Sequence, residues 1–286
     1  LNARVLEESA GAFRGRAVEL DFRIRPIDRA VPARLCYAVA RRKHELRMEW
    51  IAAAAEDGSE QATPTDEELD LAPDTVRLNL TGSAGQGLGV FLTAGVTIHL
   101  VGEANDSVAK SMSGGRITIR PPDTVSYAPA ENSIIGNCVL YGATGGELFA
   151  YGRAGDRFAV RNSGATAVVE GVGMHGCEYM TLGLVLILGE AGVNLGAGMT
   201  GGMVFVRKDQ RLSLNLEYIE PHDLDSEHIQ TLRRLLKSHH DATKSQVAES
   251  FMAESDAGLS ATFFVCKPIV SPGAASAPRA LETVIG

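Results

Sequence analysis

The sequence predicts an all-β solenoid carrying short helical flanks at both ends, and three observations predict it. Six glycines recur at a nearly constant interval, Gly95, Gly115, Gly136, Gly155, Gly176 and Gly192. Strand-like runs follow most of them: VTIHL (96–100), RITIR (116–120), NCVLY (137–141), DRFAV (156–160) and CEYMT (177–181). A second ladder runs through ELFAY (147–151), TAVVE (166–170), LVLIL (184–188) and MVFVR (203–207). A glycine-marked repeat this short reads as one solenoid turn per repeat. Of the 31 glycines, 25 fall within 76–209. A helical body would not carry that density, because glycine costs about 1 kcal/mol relative to alanine inside a helix.

The elements follow in order. Residues 1–75 form a lead-in. AVELDFRI (17–24) alternates as a strand. A helix is expected over 29–42, capped by Asp28, with Val31, Leu35 and Val39 on one face. Residues 51–76 hold eight acids and no Lys or Arg, which reads as a solvated, mobile loop. The repeat body spans 76–209, about seven coils with strands about 4.8 Å apart. Its glycines turn corners by reaching φ > 0, with Asn105, Asn132, Asn162 and Asn194 near other corners. Alternation puts Ile117, Ile119, Leu148, Ala150, Val185, Ile187, Val204 and Val206 in inner columns. Arg116, Thr118, Arg120, Glu147 and Arg207 then face outward, so the strands are expected to be buried on one side only.

Residues 210–270 read as a terminal cap. SLNLEYI (213–219) is expected as a strand. Residues 226–239 form an amphipathic helix with Ile229, Leu232, Leu235 and Leu236 inward. Thr243-x-x-Gln246 resembles a capping box opening a second helix, and TFFVCKPIV (262–270) is β-like. The tail 271–286 is expected to be disordered. Caps of this kind protect the end coils of a solenoid.

Composition narrows the function classes. The 286-residue chain is 45% hydrophobic and 22% charged, as soluble domains are. Its net charge of −8 argues against a nucleic-acid partner. No run of 18 apolar residues predicts a membrane span. No secretory leader pattern is visible, so a cytoplasmic location is expected, and the glycosylation-like triplets at Asn79 and Asn105 carry no information. The chain starts at Leu1, which suggests a cut from a longer polypeptide. Cys36, Cys138, Cys177 and Cys266 are too far apart in sequence for a CxxC cradle and read as buried thiols.

Longer strings carry a family resemblance. GSAGQGLGVFL (82–92), GEANDSVAKSMSGGRITIRPP (102–122), SIIGNCVLYGATGGELFAYGRAGDRFAVRNSGA (133–165), MHGCEYMT (174–181) and LGEAGVNLGAGMTGGMVFV (188–206) resemble the C-terminal GXGXG domain of the glutamate synthase large subunit. RIRPIDRAVPARL (23–35) resembles its opening and HIQTLRRLLKSHHDATKSQVAESF (228–251) its last helices. The resemblance implies a right-handed parallel β-helix. It also implies a parent enzyme making glutamate from glutamine and 2-oxoglutarate with FMN, an iron–sulfur cluster and electrons from NADPH or ferredoxin. In that family a cysteine amidotransferase domain and a flavin barrel do the chemistry, and the β-helix packs between them. The implied partners are the remaining large-subunit domains, with the small subunit or ferredoxin beyond them. Two features depart from the pattern: the acidic stretch 51–76 looks inserted, and Leu182 replaces the first glycine of a Gly-Gly pair.

Three sharper readings compete with this scaffold role. Gly171-Val-Gly173-Met-His-Gly176 matches a dinucleotide fingerprint, but a β-patterned segment rather than a helix follows it. His175, Cys177 and Glu178 suggest a metal or nucleophile, yet strand neighbours alternate faces. The expectation is therefore that Cys177 packs inward while His175 and Glu178 bond at a corner or meet a partner. Lys110, Arg116, Arg120, Arg153, Arg157 and Arg161 form a basic scatter, with Arg153, Arg157 and Arg161 as a docking cluster. No catalytic, cofactor-binding or metal residue is assigned. The alternatives are the GXGXG subunit of a formylmethanofuran-dehydrogenase-like complex and a stand-alone β-helix enzyme.

Overall fold

A computed structural model describes residues 1–57 and 62–269. In chain order the elements are α1 (Asn2–Glu8), β1 (Val18–Ile24), α2 (Ala33–Asp57), β2 (Val76–Ala84), β3 (Val96–Ala104), β4 (Ser113–Arg120), β5 (Ser133–Ile135), β6 (Gly145–Ala154), β7 (Ser163–Gly171), β8 (Leu182–Ile187) and β9 (Met203–Arg207). The cap follows as β10 (Ile219–His222), α3 (Ser226–Thr243), α4 (Gln246–Met252), α5 (Asp256–Thr262) and β11 (Phe263–Pro268). The protein is mostly sheet with helices at its flanks. Among the described residues the strands form one mixed sheet in the order β1-β2-β3-β4-β6-β7-β8-β9-β11-β10. Pairing is parallel from β1 to β9 and antiparallel through β11 and β10.

The register makes the inner columns. Ile98 pairs with Ile117, Ile117 with Leu148, Leu148 with Ala167, Ala167 with Val185 and Val185 with Val204. All are fully buried, as are Ile119, Ala150, Ile187 and Val206. The two ladders read from sequence resolve differently. The 96–100 and 116–120 runs join the second ladder in this one sheet. NCVLY, DRFAV and CEYMT are not strands but turns. In these turns φ is positive at every second residue: Cys138, Leu140 and Gly142; Arg157, Ala159 and Arg161; His175, Cys177 and Tyr179. The same alternation occurs at Gly87, Gly89 and Phe91, at Ser107, Ala109 and Ser111, and at Asn194, Gly196 and Gly198.

These turns stack into a second column opposite the sheet. Their amides bond alternately to the coil ahead and the coil behind: Cys138 N donates to Asp156 O, Leu140 N to Val108 O and Gly142 N to Val160 O. In the five turns from Gly87 to Tyr179, pairing of every such amide offsets the cost of left-handed backbone at non-glycine residues, about 1–2 kcal/mol each. The intervening Val108, Val139, Phe158 and Leu195 point into the core. The buried positions run in adjacent pairs, Val108 with Ala109, Val139 with Leu140 and Phe158 with Ala159, and not in the alternation of a strand.

Asp106, Asn137 and Asp156 bind the turns together. Each side-chain Oδ1 accepts a backbone amide from the next coil, at Asn137, Asp156 and Met174, all at 2.8 Å. Close stacking here explains glycines whose φ is ordinary. A Cβ on Gly155 would lie 3.0 Å from the Gly136 carbonyl carbon, and one on Gly192 would lie 2.4 Å from that of Gly173. Gly115 is the expected positive-φ corner, at +79°. Of the four corner asparagines, Asn194 alone has positive φ, at 68°.

One coil is longer than its neighbours. After β4, residues 121–132 leave the stack through a 3-10 turn at Pro129–Glu131. The chain rejoins at β5, where Ile135 pairs with Ala104 and Ala154.

Several expectations are corrected. The first long helix starts at Ala33 rather than 29 and continues to Asp57. Asp28 accepts from Arg25 N in the preceding turn and is not its cap. The first part of the expected acidic loop is therefore helix, and the segment from Asp66 to Asp70 is held along it. Lys43 binds Asp70, and Arg47 binds Asp66 at 2.6 Å, which holds the Asp66 carboxyl below its ordinary range. The missing counter-charges came from α2, outside the acidic window. SLNLEYI is the end of a 3-10 helix, a single bridge at Leu214 and a turn, with a strand starting only at Ile219. Thr243 closes α3 by donating to His239 O, and Ser245 caps α4. The tail 271–286 lies outside the described residues.

The outward face differs most. From β2 onward its central column reads Asn79, His99, Thr118, Phe149, Val168, Leu186 and Phe205. The last four are buried under Leu232, Leu235 and Leu236 of α3 with help from α4 and α5, as a second core. Thr118 is buried as well. The strands β6–β9 are thus covered on both faces.

Candidate functional site

Two places on this frame gather polar groups. The first lies on the turn column. Left-handed backbone at His175 and Asn194 brings the two side chains together from successive coils. His175 Nδ1 lies 2.7 Å from Glu178 Oε1, and the Asn194 amide reaches both at 3.0 Å. Asn215 donates to Asn194 Oδ1 at 2.6 Å. Cys177 points the other way and is fully buried, and burial pushes its thiol upward. The expected split of Cys177 inward and His175 with Glu178 at a corner is what the structure shows. The carboxylate and amides use the imidazole as a structural link, so this chain orders the turn.

The second place is buried between β7 and the cap. Ser245 donates to Glu170 Oε1, and His239 Nε2 lies 3.5 Å from the same oxygen. Among the described residues, Glu170 Oε2 and His239 Nδ1 have no partner. Burial drives the His239 imidazole below its ordinary pKa, the Glu170 contact opposing this. A Ser–His relay needs the imidazole between hydroxyl and carboxylate. Here the carboxylate binds the hydroxyl directly, so the group fastens α3 and α4 to the sheet. Sequence reading missed it. The signal was present, since His239 continues the inward spacing of Ile229, Leu232 and Leu236.

The basic scatter divides. Arg116 pairs with Glu147, Arg120 with Asp123 and Arg153 with Glu190. Lys110 sits 5.5 Å from the Tyr141 ring centroid. Arg157 and Arg161 are exposed and, among the described residues, form no ion pair. Their neighbourhood is apolar: Met174 is 46% exposed, Tyr179 57%, Val193 57% and Leu212 97%. The Gly171–Gly176 fingerprint lies at the end of β7 and passes into turns and then β8, without the helix that a dinucleotide fingerprint opens.

Among the described residues no group of three or more His, Cys, Asp and Glu side chains is placed to hold a metal. Cys36, Cys177 and Cys266 are buried, with Cys36 and Cys266 pushed up to about 12 by burial. No described helix is long and apolar enough to cross a membrane.

The GXGXG motif family model matches residues 59–268. The chain is 50% identical over 191 residues to a glutamate synthase [NADH] of Schizosaccharomyces pombe, covering 65% of this chain and 9% of that one. It is 46% identical over 190 residues to the glutamate synthase [NADPH] large chain of Bacillus subtilis, covering 65% of this chain and 12% of that one. It is 62% identical over 128 residues to a ferredoxin-dependent glutamate synthase of Cyanidium caldarium, covering 45% of this chain and 8% of that one. The chain therefore spans about a tenth of the length of these relatives. GQGLG (85–89), the first of the stacked left-handed turns, spells the motif itself, and with the match over most of its length the chain belongs to the GXGXG motif family, as a GXGXG domain of the glutamate synthase kind.

Proposed function

We propose that this chain is the non-catalytic β-helix domain of a glutamate synthase, a rigid body packed between its amidotransferase and FMN domains. The body is residues 76–209 in a right-handed parallel solenoid, with 1–75 and 210–270 closing its ends. The enzyme it serves is an oxidoreductase of nitrogen assimilation that makes glutamate from glutamine and 2-oxoglutarate in the cytoplasm. FMN and the iron–sulfur cluster belong to other domains, and the small subunit or ferredoxin supplies electrons there.

The observation that carries this reading is the unbroken parallel register from β1 to β9 with its matched turn column. Such a stack places its side chains in core columns and inter-coil bonds, and it holds two surfaces at a fixed separation. The two polar clusters support the same reading, since each fastens one part of the chain to another. The test is purification of the isolated chain. The expected product is colourless and forms no glutamate from glutamine and 2-oxoglutarate. A flavin spectrum or turnover by the chain alone would overturn the proposal.

A further inference from the structure

The sheet flank and the turn flank differ in what covers them, and the difference locates a docking surface. On the turn flank Met174 and Val193 occupy successive coils, because Gly192 lies directly on Gly173. Leu195 bridges Leu214 at the next level, and Leu212 comes two positions before Leu214 as Val193 comes two before Leu195. Met174 and Val193 make a short exposed apolar ridge, with Leu212 exposed on the 3-10 turn that follows. Arg157 N donates to Met174 O and Arg161 N to Glu178 O, so both unpaired arginines sit one coil away, with Tyr179 beside them. The bonded chain of His175, Glu178, Asn194 and Asn215 holds the ridge from behind.

Resting on the function proposed above, we infer that Met174, Tyr179, Val193 and Leu212, with Arg157 and Arg161, form the face that docks onto the remainder of the glutamate synthase polypeptide. The receiving site is an apolar depression edged by carboxylates. Exposed Met, Tyr and Arg around an apolar centre are the residue types that interface cores favour. Contiguous exposed apolar side chains on a soluble domain mark an interaction site. The two arginines lack internal partners in a chain of net charge −8, so their complement is external and acidic. The occupant follows from length: the relatives run roughly ten times longer than the segment this chain matches. The ridge is preorganised by the polar chain behind it, so docking orders few side chains.

The experiment places a photoreactive benzoylphenylalanine at Val193 and, separately, at Tyr37, an exposed residue of α2, in the enzyme as assembled in its own cell. Adduct peptides are then sequenced. The expected Val193 adduct is an Asp- or Glu-rich peptide of the glutamate synthase polypeptide outside this chain. The double variant Val193→Asp, Leu212→Asp should lower recovery of the assembled enzyme at least tenfold, with the circular dichroism of the purified variant chain unchanged. A Val193 adduct to residues 270–286 of the same chain, or to a second copy, overturns the inference. An adduct to glutamate synthase from Tyr37 and not from Val193 overturns the face and leaves the proposed function standing. No glutamate synthase adduct from either position overturns both.

Discussion

The two long flanks of the coil stack are built from the same repeats but are finished differently. On the sheet flank the outward column changes from Asn79 and His99 to Phe149, Val168, Leu186 and Phe205, and the chain supplies α3 to cover the change. On the turn flank exposed apolar residues stand at both ends, Phe91 in the first turn and Met174, Tyr179 and Val193 in later ones, and nothing among the described residues covers them. An apolar outer column on a stack of parallel strands is thus a statement about a cover. One cover is encoded in the chain, and the other is the reason to look for a partner.

The comparison can be broken most strongly where the flanks join. Gly115 has φ +79°, and a Cβ there would lie 2.4 Å from Val96 O and 2.7 Å from Thr93 O. Gly115→Val should cost about 4 kcal/mol, from left-handed strain plus the two carbonyl clashes. Chemical denaturation measures it, and a loss under about 1 kcal/mol would mean the corner is not shared by both flanks.

A milder perturbation separates the covered flank from the bare one. His239 is buried with its pKa driven below the ordinary 6.5. The unfolded chain then takes up a proton that the folded chain resists. Its contribution to stability is complete above about pH 6.5 and falls as pH drops below that value. Exchange protection of α3 and α4 should weaken over that window before protection of β6–β8 does, and His239→Gln should flatten the dependence. Equal acid sensitivity of sheet and cap in hydrogen exchange would remove the distinction.

The smallest effect is expected at Thr118. Its hydroxyl is buried without a partner among the described residues. Thr118→Val keeps the shape and removes that orphan, so stability should stay equal or rise by up to about 1 kcal/mol. A clear loss in melting temperature would show that the hydroxyl has a bonded partner, a buried water included.

The same contrast explains what was legible in the sequence. Inner columns at Ile117, Leu148, Val185 and Val204 follow from alternation alone, and the parallel stacking from the spacing. The turn column did not: its buried residues fall in adjacent pairs, Val139 with Leu140 and Phe158 with Ala159, and the left-handed backbone at Leu140 and Ala159 is a conformation composition does not report. The cover over the sheet could have been seen. LVLIL (184–188) is apolar throughout, which marks burial on both faces rather than one. The binding of Asp66 and Asp70 to α2 could not be read locally, since Lys43 and Arg47 lie outside the acidic window. At the two polar clusters, His175 and Glu178 were visible as neighbours. Glu170 and Ser245, 75 positions apart, meet only through the fold.

The long coil between β4 and β6 has an architectural consequence. Arg116 and Glu147 are 31 positions apart yet form an ion pair across adjacent strands, while Asn137 and Asp156, on adjacent coils, are 19 apart. The stack therefore indexes coils by height and is indifferent to how much chain is looped out at that corner. Ile135 returns to the level set by Ala104 and Ala154, so the detour behaves as a cassette. Foreign sequence placed beside the exposed Tyr127 would ride on the outside, and every coil below and above it would keep its partners.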